Sequence, residues 1–257
     1  MKTLFRSFAC FAISAAACLA VTTGANAADW GTLSGQIVLD GAVPDAKVLV
    51  RKGDSTVRDA AVCAKEDLLD QSLVVDPASK GIANVVIYLT KAPKSIHPDL
   101  KGGKTATVEF DNQTCLFVPR VIAVQTGQPI KVLNTDAVAH NVHTYSTKNT
   151  AVNFLVQPGN KTGVPLKGTE QERVPFKVTC DIHPWMLGHW MVCDHPYFAV
   201  TGADGKFTIE NLPAGEEIEV RMWQERSGYV QKPAKMTLKA GANDLGAIKV
   251  PVASFNK

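Results

Sequence analysis

Apolar and polar positions alternate with a period of two along much of the chain. In PIKVLN, residues 129–134, Ile130 and Val132 flank Lys131. In KFTIENL, residues 206–212, Phe207 and Ile209 alternate with Lys206, Thr208 and Glu210. In EIEVRMW, residues 217–223, Ile218, Val220 and Met222 alternate with Glu219 and Arg221. A strand turns successive side chains to opposite faces, so each stretch predicts a strand with one buried and one wet face. NVVIYL, residues 84–89, is instead an unbroken apolar run rich in β-branched residues, and predicts a strand covered on both sides. Ala203-Asp204-Gly205-Lys206 predicts a hairpin turn, because Gly accepts positive φ. One helix is predicted near residues 58–70, where Ala61, Leu68 and Leu69 fall among charges. The strand signals dominate, and the fold class is all-β.

Between these runs the sequence is punctuated. Residues 91–104, KAPKSIHPDLKGGK, are rich in Pro, Gly and Lys and predict a linker. Residues 157–175 are long and polar and predict a loop holding one short strand. At the start, Lys2 and Arg6 precede an apolar or small stretch over residues 7–21, then Ala25-Asn26-Ala27. That order predicts a secretory signal peptide over residues 1–27. A lipoprotein reading of Cys18 is disfavoured by Ala15, where the bacterial lipobox usually carries Leu. Cleavage would remove Lys2 and Arg6 and lower the formal charge from +3 to +1. A charge so near zero gives no argument for nucleic acid or an anionic membrane. No second apolar run is long enough to cross a bilayer, so the expected location is a bacterial periplasm.

An oxidising compartment makes free thiols informative. Beyond the leader stand Cys63, Cys115, Cys180 and Cys193, which allow three full pairings. Cys180 lies in TCDIHPWMLGH, residues 179–189, which sets a thiolate, the His183 imidazole and the Met186 thioether close together. Upstream, VLNTDAVAHNVHTYS offers His140 and His143. Two imidazoles, one thiolate and a weak thioether suit a trigonal copper site with an axial Met. Zinc accepts the first three but usually takes a fourth strong donor. If Cys180 is a ligand, Cys63–Cys115 is the preferred disulfide, because Cys193 closely follows the ligand loop. A Cys180–Cys193 disulfide is the alternative that would remove the thiolate. His97 and His195 each precede Pro and read as structural or solvent-facing. Trp185 and Trp190 read as packing residues, with covering the site as the alternative for Trp185, and Arg120 and Lys177 read as solvated strand charges.

FVPRVIAVQTGQPIKVLNTDAVAHNV followed by FKVTCDIHPWMLGHWMV resembles a cupredoxin, with a ligand loop of the amicyanin and plastocyanin type. The resemblance covers residues 105–193. It implies a Greek-key β-sandwich with one type 1 copper held by His140, Cys180, His183 and Met186. It also implies that Asn141 ties the two ligand loops together. In that family the second His shows an edge at the surface within an apolar patch, which Pro184, Trp185 and Leu187 would supply. The sequence departs from a compact cupredoxin over residues 142–175, and His143, His189 and Cys193 are additional candidate donors.

GTLSGQIVLDGAVP, residues 31–44, and FAVTGADGKFTIENLPAGEEIEVRMW, residues 198–223, resemble the carboxypeptidase regulatory-like, transthyretin-like sandwich. The expected order is signal peptide 1–27, first half of that sandwich 28–103, copper domain 104–194 and second half 195–257. The copper domain is thus inserted in, or packed against, the transthyretin-like sandwich. A multicopper enzyme is disfavoured because Thr179 and Asp181, not His, flank Cys180, and a dinuclear site would need a second Cys in the loop. No G-x-S-x-G or H-E-x-x-H motif is present. The expectation is a non-enzymatic one-electron carrier acting between unidentified periplasmic redox proteins. A non-redox copper storage, delivery or envelope-binding module is the alternative.

Overall fold

The computed structural model describes residues 30–256. The leader expected over residues 1–27 lies outside the described residues. Nearly all regular structure is β, with one four-residue α-helix, Ala60–Cys63, and two 3-10 turns among the described residues. No helix among them is long and apolar enough to cross a membrane.

Two sandwiches share the chain. The first faces a five-stranded sheet against a four-stranded one. The five run in the order Asn153–Val156, His140–Thr144, Phe176–Thr179, Leu187–Cys193, Val121–Gln125. The four run Val164–Lys167, Pro129–Asn134, Val108–Gln113, Leu116–Val118. Phe110, Ile130 and Val132 of the smaller sheet pack on Val142, Val178, Trp190 and Val192 of the larger. The second sandwich draws on both ends of the chain. Trp30–Asp40 lies between Lys206–Pro213 and Gly241–Pro251, while Val86–Leu89 lies between Phe198–Val200 and Glu217–Gln224. Leu33, Ile37, Ile87 and Leu89 share a core with Phe207, Ile209, Val220 and Met222.

The unbroken apolar run at 84–89 is explained by where Val86–Leu89 sits. Ile87 and Leu89 face the second core, whereas Val86 and Tyr88 face a third cluster with Val121, Met191, Cys193 and Trp223. Leu187–Cys193 does the same from the other side, with Trp190 and Val192 in the first core and Met191 and Cys193 in the third. Period two thus lets one strand of each sandwich serve both its own core and the contact between them.

Three expectations change. The helix over 58–70 shrinks to Ala60–Cys63, and Leu68–Leu69 is a strand paired with Val48–Val50. Ala61 and Leu69 are exposed, so the apolar residues there form no helical stripe to bury. The turn at 203–206 forms, with Gly205 at φ 76°, but it connects strands of different sheets rather than closing a hairpin. Ile37 N–H donates to Gly205 O at 2.9 Å, and a Cβ on Gly81 or Gly205 would collide with the backbone of Asp204 or Ile37. Close docking against Trp30–Asp40 decides the path there. Finally, Arg120 is not solvated: it is buried, with Nε and Nη2 donating to Glu225 at 2.7 and 2.6 Å. Lys177 stays exposed, its Nζ 4.5 Å from the centre of the Tyr145 ring.

Candidate metal centre

His140 opens the strand His140–Thr144, and Cys180 immediately follows Phe176–Thr179. These strands are paired, with Thr179 opposite His143, so the two residues arrive at one end of the sheet. The chain then folds back on itself. Met186 N–H donates to His183 O at 2.9 Å and Cys180 N–H to Met186 O at 3.3 Å, before Leu187 pairs with Thr179. This tight loop turns Cys180, His183 and Met186 inward, and none is more than 1% exposed.

Three donor atoms converge. His140 Nδ1 lies 3.0 Å from His183 Nδ1, and Cys180 Sγ lies 4.0 and 3.8 Å from the two. Each imidazole is turned by a carboxylate behind it. Asp136 Oδ2 sits 2.9 Å from His140 Nε2, and Asp59 Oδ2 sits 3.0 Å from His183 Nε2. An ionised carboxylate only accepts, so both Nε2 atoms carry hydrogen and both Nδ1 atoms face the same point. Asp136 is itself fixed by the N–H groups of Thr114 and Cys115, each at 2.7 Å.

Asn141 joins the two loops. Its Oδ1 accepts from Asp181 N–H at 2.6 Å and Ile182 N–H at 3.3 Å, and its backbone N–H points to Cys180 Sγ at 3.5 Å. Burial alone would raise the Cys180 thiol. Hydrogen bonds to His140, His183 and the Asn141 backbone outweigh it and bring the thiol from 9.0 down to about 6. Burial likewise opposes charge on His140, but Asp136 and Cys180 hold it above its ordinary value. The Cys180 thiol is thus shifted toward its thiolate form beside an imidazole, that of His140, shifted toward its charged form. Cys193 is the opposite case, since burial pushes its thiol well above the ordinary range. Cys180 and Cys193 are both free, and Cys63 is bonded to Cys115.

The donor set fits a metal ion. Bonds of about 2.0 Å to nitrogen and 2.3 Å to sulfur put donors roughly 3.3–3.7 Å apart, within a few tenths of an ångström of the separations seen. Two imidazole nitrogens 3.0 Å apart beside the Cys180 sulfur are held together by a shared proton or by a cation bound between them. Among the described residues no fourth His, Cys, Asp or Glu joins His140, Cys180 and His183, and Met186 is the remaining sulfur of the loop. A second grouping, Cys115, Asp136 and His140, has its sulfur engaged in the disulfide.

The other candidates lie elsewhere. His143 points away, 3.1 Å from Asp181 and stacked on Tyr145 at 4.4 Å. His189 faces Glu225 at 3.5 Å and Trp223 at 4.9 Å. His195 is buried against Leu89 O at 3.0 Å. Trp185 lies 5.2 Å from the His183 ring and donates its indole N–H to Cys115 O at 3.1 Å. One implied feature is overturned: His183 has no surface edge, being 0% exposed. Pro184 is exposed and Trp185 and Leu187 are half-buried, but the imidazole lies under Asp59. Asp136 and Asp59 were not found from sequence. Asp136 carried a local signal, four residues before His140, whereas nothing near Asp59 points to a residue so distant in the chain.

No family model matches the chain, and no curated protein matches it. Several solved structures are similar over part of it. A copper-containing nitrite reductase from Thermus scotoductus SA-01 is 17% identical over 38% of this chain, with a TM-score of 0.32. The match covers 27% of that enzyme, so this chain spans about a quarter of its length. A purple cupredoxin from Nitrosopumilus maritimus is 18% identical over 34% of this chain and 99% of its own, with a TM-score of 0.28. A proline-to-alanine mutant of amicyanin in its oxidised state is 21% identical over 34% and 82%, with a TM-score of 0.30. Likeness at this level assigns no function.

Proposed function

We propose that this protein binds one copper ion through His140, Cys180 and His183, with Met186 as a weak axial ligand, and carries single electrons between redox partners in a periplasm. The observation behind this reading is the convergence of both Nδ1 atoms on Cys180 Sγ, with each Nε2 committed to a carboxylate. Bound copper would supply a one-electron change of charge. The protein's residues do the rest. Asp136 and Asp59 fix the tautomers, Asn141 holds the ligand loops in register, and the apolar surroundings of Val142, Val178 and Met186 keep water out. Trp185 covers His183 from the loop side. Donors already in place need little rearrangement when the charge changes, which is what fast transfer requires.

The proposal extends to the chain's organisation. Residues 28–103 and 195–257 supply a transthyretin-like sandwich around a copper domain at 104–194, with residues 48–69 of the first flank packed on the copper domain, following cleavage of residues 1–27. Binding of Cu(II) is expected to give one equivalent per chain and an intense visible colour with a copper signal in electron paramagnetic resonance. Cys180→Ser should remove the colour, because a hydroxyl lacks the sulfur orbital. A colourless protein that takes only Cu(I) would instead establish the second reading, copper storage or delivery, which the complete burial of His183 favours.

A further inference from the structure

Residues 48–69 belong in sequence to the flank of the second sandwich, yet they pack on the first. Val50, Cys63, Ala64 and Leu68 are buried in its core, and Val57, Ala60 and Val62 lie against it. From this segment comes Asp59, whose carboxylate reaches His183. Asp59 adopts φ 56°, in the left-handed region that few non-glycine residues enter. Such a conformation persists where surroundings over-determine it. Here the Asp59 carbonyl accepts from Val62 and Cys63 N–H at 2.9 Å each, starting the short helix, while its side chain is aimed at the imidazole. The helix ends at Cys63, which is bonded to Cys115. Cys115 is also where the other carboxylate is fixed, since its N–H holds Asp136 and its carbonyl receives Trp185. One disulfide thus ties the segment that carries Asp59 to the residue whose N–H holds Asp136.

We propose, building on the copper-binding reading, that residues 48–69 form a built-in cap over the metal centre. Asp59 is its positioning residue, aligning His183 through Nε2 and shutting solvent and competing ligands away from that imidazole. Cys63–Cys115 pins the cap in place. The cap makes retention of the metal slow. It also moves the surface that a redox partner meets from the His183 edge to the cap itself.

Metal-free protein tests the cover directly. Treated with diethyl pyrocarbonate and mapped by mass spectrometry, His183 should react at least tenfold more slowly than the partly exposed His143. Equal rates would overturn the proposal without the need for any variant. Asp59→Ala should bring His183 up towards the rate of His143, while Asp59→Asn, whose amide oxygen still accepts from Nε2, should stay near wild type. In copper-loaded protein, Asp59→Ala should release metal to an excess of a competing chelator at least tenfold faster. Asp59→Asn should keep slow release but raise the reduction potential, because the negative charge that favours the oxidised ion is gone. A variant series with unchanged His183 reactivity and unchanged release would rule out the cap. Failure of wild type to take up copper while His183 stays protected would defeat the copper reading and leave the cover standing.

Discussion

His140 and His143 lie three apart on one strand, and an odd separation sends them to opposite faces. His140 Nδ1 faces Cys180 and His183, and His143 faces Asp181. His140→Ala should therefore abolish the copper colour, whereas His143→Ala should leave the spectrum close to wild type; optical titration of both variants decides the assignment. Met186→Leu should keep metal and colour but raise the reduction potential, read by voltammetry. A thioether donates weakly to the oxidised ion, and an alkyl group of similar volume removes that donation while filling the same space. An unchanged potential would take Met186 out of the ligand set. The short spacing Cys-x2-His-x2-Met made three of these residues visible in the sequence, because one tight loop contains them all. The orienting carboxylates were less visible, since what selects Asp59 is a contact across 124 residues of chain. The sequence resemblance carried over an exposed His183 for the same reason: it contains no counterpart of the segment that covers it.

Strands were legible where one face is buried and the other wet, as in Pro129–Asn134 and Glu217–Gln224. The segment after His140–Thr144 was not legible, because its order comes from a buried charge rather than from periodicity. Glu172 is 1% exposed and gathers the loop at 147–149. Its carboxylate accepts from Thr147 Oγ1 at 2.6 Å, Lys148 N–H at 2.9 Å, Asn149 N–H at 3.0 Å and Asn149 Nδ2 at 2.9 Å. Burial raises the Glu172 acid, but these bonds outweigh it and hold the group below its ordinary value. A folded-state value below the unfolded one contributes stability at pH above the unfolded carboxyl range, about 4.3. That contribution fades as pH falls through the folded value. Glu172→Gln should therefore cost about 2–3 kcal/mol at neutral pH, the scale of charge-assisted bonds. The gap to wild type should narrow steadily below about pH 4. Urea midpoints measured across that range check both the size and the sign. A gap that stays constant with pH would mean the carboxylate charge is not what organises the loop.

At the scale of the molecule, the two sandwiches meet through an apolar cluster and a buried ion pair. Val86, Tyr88 and Trp223 of the second face Val121, Met191 and Cys193 of the first. Arg120, next to the strand Val121–Gln125, is joined to Glu225, just after Glu217–Gln224, by two parallel bonds of 2.7 and 2.6 Å. Both side chains are less than a tenth exposed, and His189 lies beside them. Burial raises the Glu225 acid, yet Arg120 and His189 more than offset this and keep it ionised. A pair taken out of water gains little over apolar neighbours of the same shape, but a lone charge left behind is expensive. Glu225→Gln should thus strand Arg120 and cost about 3–5 kcal/mol. Arg120→Met combined with Glu225→Leu should cost less than the single change, because no uncompensated charge remains. Added salt should barely alter the wild-type midpoint, since ions screen exposed pairs far more than buried ones. Calorimetry offers a second readout. The shared cluster and the pair couple the two cores, so wild type should unfold in one transition. Glu225→Gln should split it into two, and the apolar double variant should restore the single transition. If Glu225→Gln left both the midpoint and the shape of the transition unchanged, the apolar cluster alone would hold the sandwiches together and the ion pair would be incidental to their assembly.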